Sequence, residues 1–165
     1  MGHPTHMDAE LYAFEPRSGR GAGVLSGSVA PYSFGEIFPA HDLAPALARR
    51  RLHAWLDAVH WPTDSRDDVV LAASEAVSNA AEHAYSPGRE RDITVHAALV
   101  VGPSNIERVI VSVADSGRWR EPLVEHHAQR RGLQIMRAVT DELRLEMTSV
   151  GTRIKMISRP VRQPR

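Results

Sequence analysis

Glu75, Asn79 and His83 fall at i, i+4 and i+8 within LAASEAVSNAAEHAYSPG, residues 71 to 88. On a helix that spacing stacks them in one polar stripe. A carboxylate and an amide one turn apart are oxygen ligands suited to a hard cation such as Mg²⁺, and the same stripe would serve equally as a solvated face. Three further pieces carry possible chemistry. Asp115-x-Gly117 follows a strand-like run, where a carboxylate can accept a hydrogen bond from an exocyclic amine and glycine lets a flat ring approach the chain. Arg131-Gly132-Leu133 is expected to open a helix, whose free N–H groups and positive dipole end suit phosphate. Gly151-Thr152 lies between two strand-like runs and reads, by itself, as a hairpin turn.

The elements that must position these residues follow from periodicity. Val70, Leu71, Val77, Ala80, Ala81 and Ala84 recur at roughly helical spacing around the stripe, and Tyr85-Ser86-Pro87-Gly88 supplies the stop. Upstream, a helix is expected from about Asp42 to His60. Asp42 is its N-cap, Pro45 sits in its first turn, and Leu43, Leu47, Leu52, Trp55, Leu56 and Val59 form its apolar side. Trp61-Pro62 ends it, and Trp55 and Trp61 are assigned to packing. Residues 29 to 39 suggest a short edge strand.

The second half changes period. Ile93–Val101 and Arg108–Ala114 are β-branched runs of strand length joined by a hairpin-type loop. Residues 118 to 130 read as a polar loop, a short helix starts near Gly132, and Leu143–Met147 with Thr152–Ile157 closes the chain as a hairpin. This order predicts a two-layer α/β sandwich, a mixed and mostly antiparallel sheet with helices packed on one face.

Composition narrows the function classes. The 165 residues suit one domain, the formal net charge is zero, and bulk attraction to nucleic acid or membrane is therefore not expected. Cysteine is absent, which removes disulfides and thiolate metal sites and fits a reducing cytoplasm. No apolar run reaches membrane-spanning length, and MGHPTHM lacks a signal-peptide core. Residues 1 to about 28, rich in Gly, Ser and Arg, read as a loosely attached arm, and 159–165 as a tail. His126-His127 is a poor chelate on adjacent loop positions. Arg49-Arg50-Arg51 is a solvated face or a dock for an acidic partner.

In order, ExxxNAxxHA (Glu75 to Ala84), DxGxW (Asp115 to Trp119), RGLxIM (Arg131 to Met136) and GT (Gly151, Thr152) resemble the GHKL ATPase-kinase superfamily. More narrowly, the pattern over about residues 29 to 158 is similar to the bacterial anti-sigma-factor serine/threonine kinases. No GxxxxGK[ST] or GxGxxG is present, which disfavours P-loop and Rossmann nucleotide sites. The resemblance implies a Bergerat-type ATP-binding fold and an ATP- and Mg²⁺-dependent protein kinase. Its substrate would be a STAS-type anti-sigma-factor antagonist, and its partner a sigma factor. It further implies that Asn79 holds Mg²⁺ and that Glu75 is the general base. Asp115 would bind the adenine amine with Gly117 making room. Arg131, Gly132 and Leu133 would belong to the lid and phosphate-binding helix start, Thr152 would support the adenine side, and His83 would make a polar contact near the phosphates. Homodimers are part of the same implication. Arg130 replaces the first glycine of the family's GRGL, and the lid is short, unlike that of sensor histidine kinases. The alternative is a nucleotide-binding switch that sequesters a regulatory partner without transferring phosphate.

Overall fold

The computed structural model describes residues 32–84, 91–102, 105–116, 127–148 and 151–162. The arm expected over 1–28, the Tyr85–Gly88 stop, Gly117 and Trp119 lie outside these residues. Strand β1 (Ser33–Pro39) leads into helices α1 (Ala44–Ala58) and α2 (Thr63–Ala84). Strands β2 (Asp92–Val101) and β3 (Ile106–Asp115) follow, then helix α3 (His127–Val139). Strands β4 (Glu142–Thr148), β5 (Gly151–Ile157) and β6 (Val161–Arg162) complete the order. The element sequence expected from the periods is therefore present, with β6 added inside the stretch read as a tail.

The strands form one sheet in the order β1-β2-β3-β5-β4, with β6 also pairing with β3. Every pairing is antiparallel, where the sequence pattern left room for a mixed sheet. The connection through α3 brings β4 back parallel to β3, but β5 inserts between them, so that parallel relation never becomes a ladder. β1 is the edge strand, as expected, paired only with β2.

All three helices pack on one face. β-strand alternation turns Ile93, Val95, Val109, Val111, Val113 and Met156 toward them, where they are buried with Leu52 and Leu56 of α1 and Met136 of α3. Helix α2 contributes small residues to this core: Ala72, Ala73, Ala76 and Ala80 are all buried beside Val69 and Val77. Short side chains let the α2 backbone lie close to the sheet, which fixes the polar positions on its flank.

Three expectations are corrected. Leu71 is 41% and Leu43 66% exposed, so neither belongs to the core face. On α1 the buried line is Ala44, Ala48, Leu52 and Leu56, which leaves Leu43 outside it, and on α2 alanines rather than Leu71 meet the core. Asp42 does not cap α1; Leu43 is the N-cap, and the His41 imidazole accepts a hydrogen bond from its N–H at 3.1 Å. Pro45 does sit at the first turn. Finally, α3 begins at His127, so His127–Arg130 are helical rather than loop and Gly132 lies within the helix. The Arg131 N–H groups are therefore not the free donors of a helix start.

The far end of α3 is firmly tied. Thr140 bonds back to the Met136 carbonyl, Asp141 N–H reaches the Ile157 carbonyl, and Arg108 pairs with Asp141. Arg159 donates to the Ala138 carbonyl, capping the last turn, and pairs with Asp68 of α2 at 3.6 Å.

Candidate functional site

At 100° per residue, Glu75 and Asn79 stand on the flank of α2, next to the buried Ala72–Ala76 line. Both are half-buried. Opposite them, Gly132 and Met136 lie one turn apart on α3, and both are buried. Gly132 is the point of closest approach. A Cβ there would stand 3.1 Å from Glu75 Oε2 and 3.4 Å from both terminal atoms of the Asn79 amide. The two amide atoms are equidistant, so the contact holds whichever way the amide is turned. A methyl group there would touch the Asn79 amide at ordinary van der Waals distance and press the Glu75 carboxylate aside by a few tenths of an ångström, so glycine is the residue that leaves both polar groups unobstructed.

The sheet supplies a second cluster. Asp115 is the last residue of β3, and its register partner on β5 is Thr152. Thr152 is 7% exposed, and Asp115 is half-buried. Thr152 is thus a strand residue, as expected of the run Thr152–Ile157, and Gly151 belongs to the same strand rather than to a turn. Gly151 is there for steric reasons: a Cβ at this position would collide with the Asp115 carbonyl and stand 3.2 Å from Ser116 Cα. The missing side chain lets β5 seat against the end of β3 and holds Asp115 beside Thr152.

The sequence-expected residues are therefore partly assembled. Glu75, Asn79 and Gly132 come together, Asp115 and Thr152 come together, and Leu133 packs on the core next to Gly132. Arg131 is exposed at the start of the same turn. His83 is on α2, but its side chain and Gly117 lie outside the described residues. Gly151 was legible only as half of a turn; its role as the seat for Asp115 needs the β3–β5 register. Among the described residues no group of three or more His, Cys, Asp or Glu is placed to hold a metal by itself.

A single antiparallel sheet with three helices on one face, and a polar stripe on the central helix, is the layout of GHKL-type ATPase domains. The model of the histidine kinase-like ATPase domain family matches residues 38–158, and the chain belongs to that family. Membership bears out the superfamily resemblance carried by the four motifs and implies an ATP site. Among solved structures, the chain is similar to the RsbU and RsbW domains of Rv1364c from Mycobacterium tuberculosis. The TM-score is 0.60 and the identity 24%, over 81% of this chain and 34% of that chain. The present chain thus spans about a third of that relative. The histidine kinase domain of the Erythrobacter litoralis EL346 blue-light activated histidine kinase matches at TM-score 0.43 and 22% identity, over 59% of this chain and 45% of that chain. A second structure of that kinase matches at 0.45 and 24%, over 59% and 31%. No helix among the described residues is long and apolar enough to cross a membrane.

Proposed function

We propose that this domain is an ATP- and Mg²⁺-dependent protein serine/threonine kinase acting as an anti-sigma factor in a cytoplasmic partner-switching pathway. Its substrate in this reading is a STAS-type antagonist of the anti-sigma factor, and its other partner a sigma factor. The kinase domain spans about 29–158 together with β6, which pairs with β3 from within the stretch 159–165 expected as a tail; the arm 1–28 is outside it, and the domain works as a homodimer. The observation that carries the reading is the approach of Gly132 to both Glu75 and Asn79, which leaves a carboxylate and an amide side by side under a second helix. Similarity to a structure containing an RsbW domain supports the anti-sigma branch over a sensor kinase.

The donor set fits the metal. Asn79 offers an amide oxygen beside the close approach of Gly132 and would hold Mg²⁺, a hard cation that is usually bound by one or two protein oxygens together with phosphates and water. When bound, the ion neutralises charge across the phosphate chain. The protein's own part is positioning and proton transfer. Glu75, one turn before Asn79, takes the proton from the attacking serine or threonine hydroxyl; the oxygen bonds to the γ-phosphorus and the bond to the β-phosphate oxygen breaks, releasing ADP. Asp115 accepts a hydrogen bond from the adenine amine, with Gly117 beside the ring and Thr152 supporting that side. Arg131, Gly132 and Leu133 border the phosphates, and His83 makes a polar contact there.

The test is direct. The protein is incubated with γ-labelled ATP, Mg²⁺ and a candidate antagonist; label is expected on a serine or threonine of the antagonist. ATP binding without transfer to any antagonist would instead assign the domain as a nucleotide-binding switch. A second expectation concerns the adenine end. A hydrogen bond to a charged group contributes about 1.5–3 kcal/mol, so Asp115→Ala should weaken ATP binding roughly 10- to 150-fold. Equilibrium titration of the variant checks it, and an unchanged Kd would remove Asp115 from the site.

A further inference from the structure

One turn before Glu75, helix α2 turns an apolar side chain to solvent. Leu71 and Glu75 fall at i and i+4, so they stand about 6 Å apart along the helix, four residues at about 1.5 Å of rise each. Leu71 is 41% exposed, and Glu75 is half-buried. A leucine exposed singly is ordinary surface, so its meaning depends on what lies beside it.

Helix α3 supplies the neighbour. Two ties set the level at which α2 and α3 face each other: Gly132 meets Glu75 and Asn79, and Arg159 donates to the Ala138 carbonyl while pairing with Asp68. The two helices are therefore antiparallel, and Ile135, midway between the ties, comes level with Leu71 and Ala72. Ile135 follows Gly132 by three residues and so lies on the side of α3 turned to α2. Leu133 and Val139 of the same helix pack on the core, whereas Ile135 is half-buried without joining it. Leu71 and Ile135 thus flank the solvent edge of the α2–α3 seam, one helical turn from Glu75.

A phosphoryl acceptor must reach Glu75 from solvent. Ala72, Ala76 and Ala80 close the side of α2 that faces the sheet, and Ser74 is buried toward α1, where Arg49 donates to its hydroxyl at 3.2 Å. A polypeptide that brings a hydroxyl to Glu75 carries its neighbouring side chains to the same surface. Two residues of extended chain span about 6.6 Å and one helical turn about 5.4 Å, and either matches the interval from Glu75 to Leu71.

We infer that Leu71, with Ile135 beside it, receives an apolar side chain flanking the phosphorylated serine or threonine of the protein substrate, and so selects among hydroxyl-bearing segments. The inference rests on the kinase reading and adds a requirement to it: the acceptor residue has an apolar neighbour two extended residues, or one helical turn, away. The contact lies outside the nucleotide groups, so it bears on the protein substrate and not on ATP.

The test uses the STAS-type protein that wild type labels in the assay above, with its labelled residue located by mass spectrometry. Leu71→Ser is expected to raise the KM for that protein roughly 10-fold, as one aliphatic side chain is no longer buried, while kcat at saturation and the KM for ATP stay within about two-fold. Leu71→Met, which restores the apolar surface, should return the KM to near the wild-type value. Val101→Ser, at an exposed apolar position on the far end of β2, should not move it. Replacing the apolar neighbour of the labelled residue by serine should raise the KM of wild type by a similar factor and add little to Leu71→Ser, since both changes remove one contact. An unchanged KM in Leu71→Ser, a loss confined to kcat, or fully additive effects of the two replacements overturns the inference and leaves the kinase reading standing. Absence of label on any antagonist brings down the kinase reading itself, and this inference with it.

Discussion

Glu75→Gln is expected to lower phosphotransfer to the antagonist by roughly 100- to 10,000-fold, the usual contribution of a general base. The substitution keeps shape and hydrogen-bonding capacity but removes the ability to take a proton. Gln retains an oxygen facing Gly132, so the α2–α3 contact survives and the fold should be unaffected. ATP binding should stay within a few-fold of wild type, because Asn79, Asp115 and Thr152 are unchanged. The loss should therefore fall on kcat and leave the KM for ATP nearly constant, the mark of an interaction made in the transition state. Steady-state kinetics with a fixed antagonist separates the two parameters. Equal loss in kcat and ATP affinity would mean that Glu75 holds nucleotide or metal rather than a proton.

Gly151→Val carries the second large effect, and it reaches the site through the fold. A Cβ at 151 would occupy the space of the Asp115 carbonyl, so β5 must withdraw from the end of β3. Forced repacking of this kind typically costs about 1–3 kcal/mol, and a branched side chain at a backbone clash belongs at or above the upper end. The Asp115–Thr152 register pair would open in consequence. The expected result is a lowered denaturation midpoint together with weakened ATP binding, measured on the fraction still folded. The control is Gly35→Ala, where the nearest group is the movable ring of His96 at 2.9 Å rather than backbone. That change should leave nucleotide binding intact, and equal effects at both glycines would contradict the account.

The parts legible in the sequence are those written in periodicity and spacing. β-branched alternation marked β2, β3 and β5, and the i, i+4 relation of Glu75 and Asn79 placed them on one flank of α2. What escaped was set by contacts between distant segments. The start of α3 was missed because EHHAQRR has no apolar period; its helical turns form as an extension of the face that Gly132 and Met136 lay on α2. The cap at Asp42 failed because the chain leaves β1 in a direction that presents His41, not Asp42, to the first free N–H. Leu71 lost its expected burial to alanines, since a close helix–sheet contact rewards small side chains over large ones. Gly151 looked like turn chemistry beside Thr152, the expected first residue of the strand, and only its pairing with Thr148 shows it to be strand as well. β6 had no signal at all, being two residues after Pro160.

The central claim is that the Glu75–Asn79 flank of α2 holds Mg²⁺-bound ATP. Calorimetric titration of ATP into wild type and Asn79→Ala, each with and without Mg²⁺, addresses it most directly. The account expects Mg²⁺ to tighten ATP binding to the wild type. In Asn79→Ala that enhancement should disappear, leaving the Mg²⁺-free affinity nearly the same in both proteins. An Asn79→Ala variant whose ATP affinity still rises with Mg²⁺ as much as wild type would contradict it.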